Sequence, residues 1–275
     1  MRKAGIGKSG ITSQNEPAAG APLSMTNLSV NLNKVALLRN ARPLTIPSVV
    51  KMGELSIAAG AHGLTVHPRP DERHIRRTDV YDLAELLKQH PSIEYNIEGN
   101  PLESPFMDII REVKPDQVTL VPDDPTQNTS DHGWNVAKDA DKLKPIVDEL
   151  NALGCRVSLF MDPDVEQIKR VPELGCDGAA SPLVNRIELY TEPYATAYRE
   201  GKGEVSFAMF IAAAECAQSF GLGVYGGHVL ILDNLPLFKT IPNLLEVSIG
   251  HALTADALEM GYAGAVKAYL QALKS

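Results

Sequence analysis

After Thr26 the chain alternates eight times between a short β-rich run and a helical stretch, and this alternation restricts the fold more than any other feature. The predicted strands are 28–33, 63–67, 93–98, 117–121, 156–161, 186–190, 223–226 and 245–250. Predicted helices fall between and after them at 47–59, 80–89, 105–113, 139–153, 164–174, 204–220, 235–240 and 254–273. Alternating segments of this length build a parallel sheet. Eight pairs favour a closed (β/α)8 barrel, the TIM barrel of the α/β class, over an open doubly wound sheet. No GxGxxG follows the first strand to argue for the latter. Such a barrel takes about 250 residues, so the 275 residues suit one domain, expected over 27–275. Residues 1–26, rich in Gly, Ser, Ala and Pro with no apolar core, read as a flexible tail and not as a signal peptide.

Local punctuation supports the helices. Leu143, Val147, Leu150 and Leu153 make one stripe, the spacing of a buried helix face. Pro145 interrupts it, so the regular helix is expected to begin there, with Gly154 as its stop. Gly60, Gly175 and Gly221 close other helices in the same way. The stretch 204–220 is apolar almost all round, which predicts burial on more than one side, as in an oligomer interface. The region 183–203 is longer than a minimal connection and reads as an active-site loop with its own short helix.

Composition removes several function classes. The net charge of −8 argues against a nucleic-acid binder, but does not exclude phosphate ligands, because a pocket can be locally positive on an acidic protein. No apolar run is long enough to span a membrane. The three cysteines, Cys155, Cys176 and Cys216, are scattered and form no CxxC, so reduced thiols in a cytoplasmic protein are expected. There is no HExxH, no Cys/His cluster and no paired-Asp motif, so neither a metal nor another cofactor is expected.

Barrel enzymes place their chemistry at the C-terminal ends of the strands. In this chain those ends are polar in turn: Asn31 to Lys34, His67-Pro68-Arg69, Asn96-Ile97-Glu98, Pro122-Asp123-Asp124, Met161-Asp162, Tyr190-Thr191-Glu192, Gly226-Gly227-His228 and Gly250-His251. In the charged stretch from His67 to His74, an exposed loop accounts for Glu72 and Arg73. His67 and Arg69 instead suit a proton carrier and a bidentate phosphate donor. The glycines before His228 and His251 either permit tight turns or let backbone N–H groups approach a phosphate at a helix start. Glu98 is either a general base with a raised pKa or an ion-pair partner of Arg69 or Lys34. His62 and His90 read as ordinary surface or helix-end residues, and His132 fits either role.

The stretch Ser29 to Arg42, reading SVNLNKVALLRNAR, and the stretch Gly63 to Ile75, reading GLTVHPRPDERHI, resemble two signatures of the pyridoxine 5'-phosphate synthase family. Asn96-Ile97-Glu98, Leu120-Val121-Pro122, Val157 to Phe160, Gly227-His228 and Ile249 to Ala252 continue the match in order. The resemblance covers the chain from Leu28 onward. It implies a (β/α)8 barrel with extra helices, assembled as a homo-octamer. It also implies condensation of 3-amino-2-oxopropyl phosphate with 1-deoxy-D-xylulose 5-phosphate, without metal or redox cofactor. Under it His67 and Glu98 are proton acceptors and His228 a proton donor. Asn31, Arg42, Gly250 and His251 bind the aminoketone phosphate. Asn33, Lys34, Arg69, His74 and Thr129 bind the deoxyxylulose phosphate, and the Val229 backbone N–H meets substrate. Many relatives carry Asp-His in place of Asn33-Lys34 and Gly in place of Val229. If the turn there requires positive φ, Val229 is strained. Two other readings remain at this level: a phosphosugar aldolase or isomerase, with Lys34 as the only strand-end Schiff-base candidate, and a non-catalytic barrel that binds phosphorylated metabolites.

Overall fold

The computed structural model describes residues 25–175 and 183–274; Cys176 and the tail up to residue 24 lie outside them. Eight parallel strands close into a barrel in sequence order, with β1 hydrogen-bonded to β8. They are β1 (Asn27–Asn31), β2 (Gly63–Val66), β3 (Glu94–Gly99), β4 (Gln117–Leu120), β5 (Arg156–Met161), β6 (Arg186–Tyr190), β7 (Gly223–Gly227) and β8 (Leu244–Ile249). The helices are α1 (Asn33–Asn40), α2 (Val49–Ala59), α3 (Arg77–Leu87), α4 (Phe106–Val113), α5 (Val136–Ala152), α6 (Val165–Ile168), α7 (Glu192–Arg199), α8 (Gly203–Ser219), α9 (Leu235–Phe238), α10 (His251–Met260) and α11 (Tyr262–Lys274). Extra helices follow β1, β6 and β8, where two helices stand in one connection.

Period-two alternation decides which side chains fill the barrel. Leu28, Val30, Leu64, Val66, Ile97, Val118, Leu120, Ile187 and Leu189 are buried against the helices. The residues between them point inward and are mostly polar. Across the middle of the barrel the Tyr225 hydroxyl contacts Thr119 Oγ1 at 2.7 Å, Ser158 Oγ at 3.1 Å and Gln117 Nε2 at 3.2 Å. Below this layer, at the N-terminal mouth, Arg156 pairs with Glu94, and Arg186 Nη1 lies 3.5 Å from both Glu94 and Glu246. A polar interior that hydrogen-bonds across its own width avoids the cost of burying unpaired polar groups.

Several local expectations change. Helix α5 begins at Val136, with Asn135 capping the Lys138 N–H at 3.1 Å, and runs through Pro145. Pro145 is exposed, and so is Asp141, whose carbonyl loses its helical partner, which lowers the penalty of an interior proline. The stretch 254–273 divides into α10 and α11 at Gly261, whose φ of 75° breaks the helix. The predicted helix 164–174 is one turn of α6 followed by a 3-10 turn, and Gly175 ends it in extended conformation, not left-handed. Helix α8 buries one face through Phe210, Ala213, Ala214 and Ala217 and leaves Val205 and Met209 exposed in the single chain. The expected short helix in 183–203 is α7, whose Tyr194 packs against Phe207, Phe210 and Phe238.

Candidate active site

A cavity of about 270 Å³ opens at the C-terminal mouth. Asn31, Asn33, Lys34, His67, Arg69, His74, Glu98, Thr129, His228, Val229, Gly250 and His251 all line it. Arg42 does not: it is exposed in the turn after α1. Sequence reasoning missed the lining residue Glu188. The signal was a carboxylate between Ile187 and Leu189 on a strand, where alternation turns it inward.

The first two strand ends build one wall. Asn31 Oδ1 accepts from the Asn33 N–H at 3.0 Å, which turns the chain directly into α1 and places Lys34 in a helix, not at a strand end. Asn33 Oδ1 accepts from the His67 N–H at 2.9 Å, so this side chain fixes the backbone that carries His67. Arg69 Nη2 donates to Asp123 Oδ2 at 2.7 Å and Nη1 to the Gln127 carbonyl at 2.7 Å. Asp123 Oδ2 also lies 3.1 Å from His67 Nε2. Burial pushes the Asp123 carboxyl upward, but hydrogen bonding from His67, the charges of His67 and Arg69, and Ser130 outweigh it and hold the pKa at about 2.

Glu98 sits on the floor, with Asn31 Nδ2 donating to Oε2 at 3.4 Å and His67 Nδ1 3.9 Å away. The expected pairing with Arg69 is not found, because that guanidinium is taken by Asp123. Burial first, then the carboxylates of Glu188, Asp123 and Glu246, push the Glu98 pKa well above its ordinary value. Glu188 is likewise raised, to about 8, by burial. Its Oε2 has no hydrogen-bond partner among the described residues. A carboxyl that holds its proton at neutral pH can donate as well as accept.

The opposite wall explains the glycines. Gly226, Gly227 and Gly250 are not in the left-handed region; they are required by close packing. A Cβ on Gly227 would meet Glu188 Oε1 at 1.9 Å, and one on Gly226 would meet Phe238 at 2.6 Å. The positive φ falls on His228 itself, at 97°, so the turn does not require it of Val229. The Val229 N–H donates to Thr191 Oγ1 at 3.3 Å, so it is engaged within the protein. The His228 ring packs between Phe160 and Tyr190, with centroids 5.1 and 5.2 Å away, and Thr129 Oγ1 lies 3.5 Å from its Nε2. Burial lowers its pKa to about 4, and burial followed by the charges of His67, Arg69 and Lys34 lowers that of His74 to about 3. Both imidazoles are therefore neutral at pH 7. Gly250 and His251 begin α10, so the free N–H groups of a helix start open onto the cavity, the geometry that favours an anion.

The remaining candidates lie elsewhere. His62 Nδ1 accepts the Leu28 N–H at 3.1 Å and serves the sheet. His132 is exposed and pairs with Asp131 at 2.6 Å, outside the cavity. Among the described residues no group of three potential metal ligands occurs, and no helix is long and apolar enough to cross a membrane.

Comparison with solved structures places the fold. Phosphoribosyl anthranilate isomerase from Thermus thermophilus superposes with a TM-score of 0.55 at 13% identity, over 90% of this chain and 98% of that one. Tryptophan synthase from M. tuberculosis gives 0.59 at 10% identity, over 91% and 93%. Sequence relatives are far nearer. A pyridoxine 5'-phosphate synthase from Albidiferax ferrireducens is 50% identical over 254 residues, spanning 90% of this chain and 97% of that protein. One from Bacteroides fragilis is 51% identical over 251 residues, spanning 91% and 100%. The family model described as pyridoxal phosphate biosynthesis protein PdxJ matches residues 28–275, and the chain belongs to that family.

Proposed function

We propose that the chain is a pyridoxine 5'-phosphate synthase. It would condense 3-amino-2-oxopropyl phosphate with 1-deoxy-D-xylulose 5-phosphate to give pyridoxine 5'-phosphate, phosphate and water. The observation that carries this reading is the meeting of His67, Glu98 and His228, from three strand ends, in one cavity whose rim holds Arg69, Lys34 and the start of α10. Ring closure from an amine and a ketone moves a proton at every step, and two phosphates serve as handles that hold the reacting carbons together.

Burial and the neighbouring acids push the Glu98 carboxyl well above its ordinary value, and burial raises Glu188 to about 8, shifts that favour the protonated form of this pair. A neutral carboxyl supplies the proton with which a carbinol hydroxyl leaves as water. The carboxylate left behind is an unusually strong base and takes the next proton from carbon. This sequence suits Glu98 as proton acceptor in the later steps, with His67 beside it. His228, neutral at rest, takes up a proton released in an earlier step and returns it to a departing oxygen. Asn33, Lys34, Arg69, His74 and Thr129 form the deoxyxylulose phosphate side. Asn31, Gly250 and His251 form the aminoketone phosphate side. An aldolase through a strand lysine is disfavoured, since among the described residues no strand carries one. The exposed apolar residues Val205, Met209 and Leu258 fit contacts between copies in a homo-oligomer, which light scattering in solution would measure.

The test is incubation with both substrates, and with each alone, followed by mass spectrometry. Pyridoxine 5'-phosphate is expected only when both are present. Failure to form it, together with borohydride trapping of substrate on Lys34, would replace this reading with the aldolase.

A further inference from the structure

A neutral imidazole has one proton and two places to put it, and only the nitrogen left bare can act as a base. His67 is buried, and its two nitrogens face different carboxyl groups. Nε2 lies 3.1 Å from Asp123 Oδ2, whereas Nδ1 lies 3.9 Å from Glu98 Oε2, beyond direct hydrogen-bond reach. The two carboxyl groups are shifted in opposite directions. Burial and the field of neighbouring acids raise Glu98, while Asp123 stays ionised, since its donors His67, Arg69 and Ser130 outweigh burial. An ionised carboxylate accepts and cannot donate.

Asp123 is also firmly held. The Asn100 amide donates to its backbone carbonyl at 2.7 Å, and the neighbouring Val121 N–H donates to the Gly99 carbonyl at 2.9 Å. The His67 backbone is fixed by Asn33, and its ring meets His74 edge-on at 6.0 Å. Neither partner of the contact is free to turn away.

We propose that Asp123 is a positioning residue for the ring-forming reaction: it holds the His67 proton on Nε2 and leaves Nδ1, on the Glu98 side, as the basic atom. The inference deepens the synthase reading and rests on it for its kinetic part. The competing account is that Asp123 serves only to neutralise Arg69. In that case the His67 tautomer is indifferent to it, and its loss weakens phosphate binding alone.

The first measurement needs no turnover. In the full chain labelled with 15N-histidine, two-bond proton–nitrogen correlations report which ring nitrogen of His67 carries the proton, with His67→Gln giving the assignment. A single Nε2–H tautomer is expected; an Nδ1–H tautomer, a mixture or a doubly protonated ring overturns the proposal whatever the protein catalyses. The second uses Asp123→Asn and Asp123→Glu. Loss of the carboxylate that orients a metal-bound histidine typically costs about 10- to 100-fold, and the same order is taken for the His67–Asp123 pair. Accordingly kcat should fall by that order in Asp123→Asn, with the proton shared between both nitrogens, and Asp123→Glu should restore one tautomer and part of kcat. A higher KM for deoxyxylulose phosphate at unchanged kcat in Asp123→Asn would overturn the proposal in favour of the Arg69 account. If the unaltered chain shows the Nε2–H tautomer but makes no product from the two substrates, the synthase reading fails and the placement of the proton stands.

Discussion

Glu94 and Glu98 lie four residues apart on the inward face of β3, yet the barrel treats them differently. Glu94, at the N-terminal mouth, has Arg156 and Arg186 within ion-pair distance, and Arg186 reaches Glu246 as well. Glu98, at the C-terminal mouth, has no cation in ion-pair contact among the described residues apart from the His67 ring, and burial followed by the acids Glu188, Asp123 and Glu246 raises its pKa. The cation that could have paired with it, Arg69, is committed to Asp123. Both mouths hold a carboxyl raised by burial, but at the N-terminal mouth arginines pack among the acids, whereas at the C-terminal mouth the acids face an open cavity. Perturbed carboxyl groups that line a cavity are candidates for chemistry, and the contrast within a single strand fits a site at the C-terminal mouth.

The comparison is broken most severely by removing a proton carrier from the open end. His228→Asn keeps a residue type that tolerates the φ of 97°, because asparagine enters the left-handed region readily. It loses the ring between Phe160 and Tyr190. Turnover should fall by about 10²–10⁴-fold, the usual contribution of a general acid or base, with melting temperature changed far less. Steady-state kinetics beside thermal unfolding checks both. A smaller effect is expected from Arg69→Met. A hydrogen bond to a charged group is worth about 1.5–3 kcal/mol, so the Kd for deoxyxylulose phosphate should rise by roughly 10- to 100-fold. Calorimetric titration measures it, and an unchanged Kd would place the phosphate elsewhere.

The smallest effect sharpens the contrast from the closed end. Burial and Glu94 push the Glu246 carboxyl up to about 8, against the pull of Arg186 and Arg156. Between its ordinary value of 4.5 and 8 the unfolded chain has released this proton and the folded chain has not. Stability therefore falls as pH rises through that window. Glu246→Gln should flatten the decline in melting temperature between pH 5 and pH 8 relative to the unaltered chain; an unchanged slope would show that Glu246 is ionised in the fold.

Much of this was legible before any coordinates. All eight strands were found within two residues of their ends, because alternation such as Leu28, Val30 outward and Ser29, Asn31 inward has one period and one solution. The helical content of the stretch from Asn33 to Asn40 was missed, because a run following directly on β1 reads as its continuation until the Asn31 side chain is seen to turn the chain. The strand ends named the cavity wall, since barrel topology brings them together whatever their distance in sequence. Glu188 was missed, being one turn of alternation below the strand end. Asp123 stood in view beside Asp124, but two adjacent acids in a polar loop look alike, and only the fold shows that Asp123 reaches Arg69 and His67 while Asp124 accepts from Thr126 at the surface.

The most direct test places one substitution at both mouths of the barrel: Glu94→Gln and Glu98→Gln, measured for product formation from both substrates and for thermal stability. The account predicts that Glu98→Gln stays folded and loses turnover by about 10²–10⁴-fold. Glu94→Gln should melt earlier and yet turn over normally per folded molecule. Near-normal turnover in Glu98→Gln, or a loss of turnover in folded Glu94→Gln as large as that in Glu98→Gln, would contradict it.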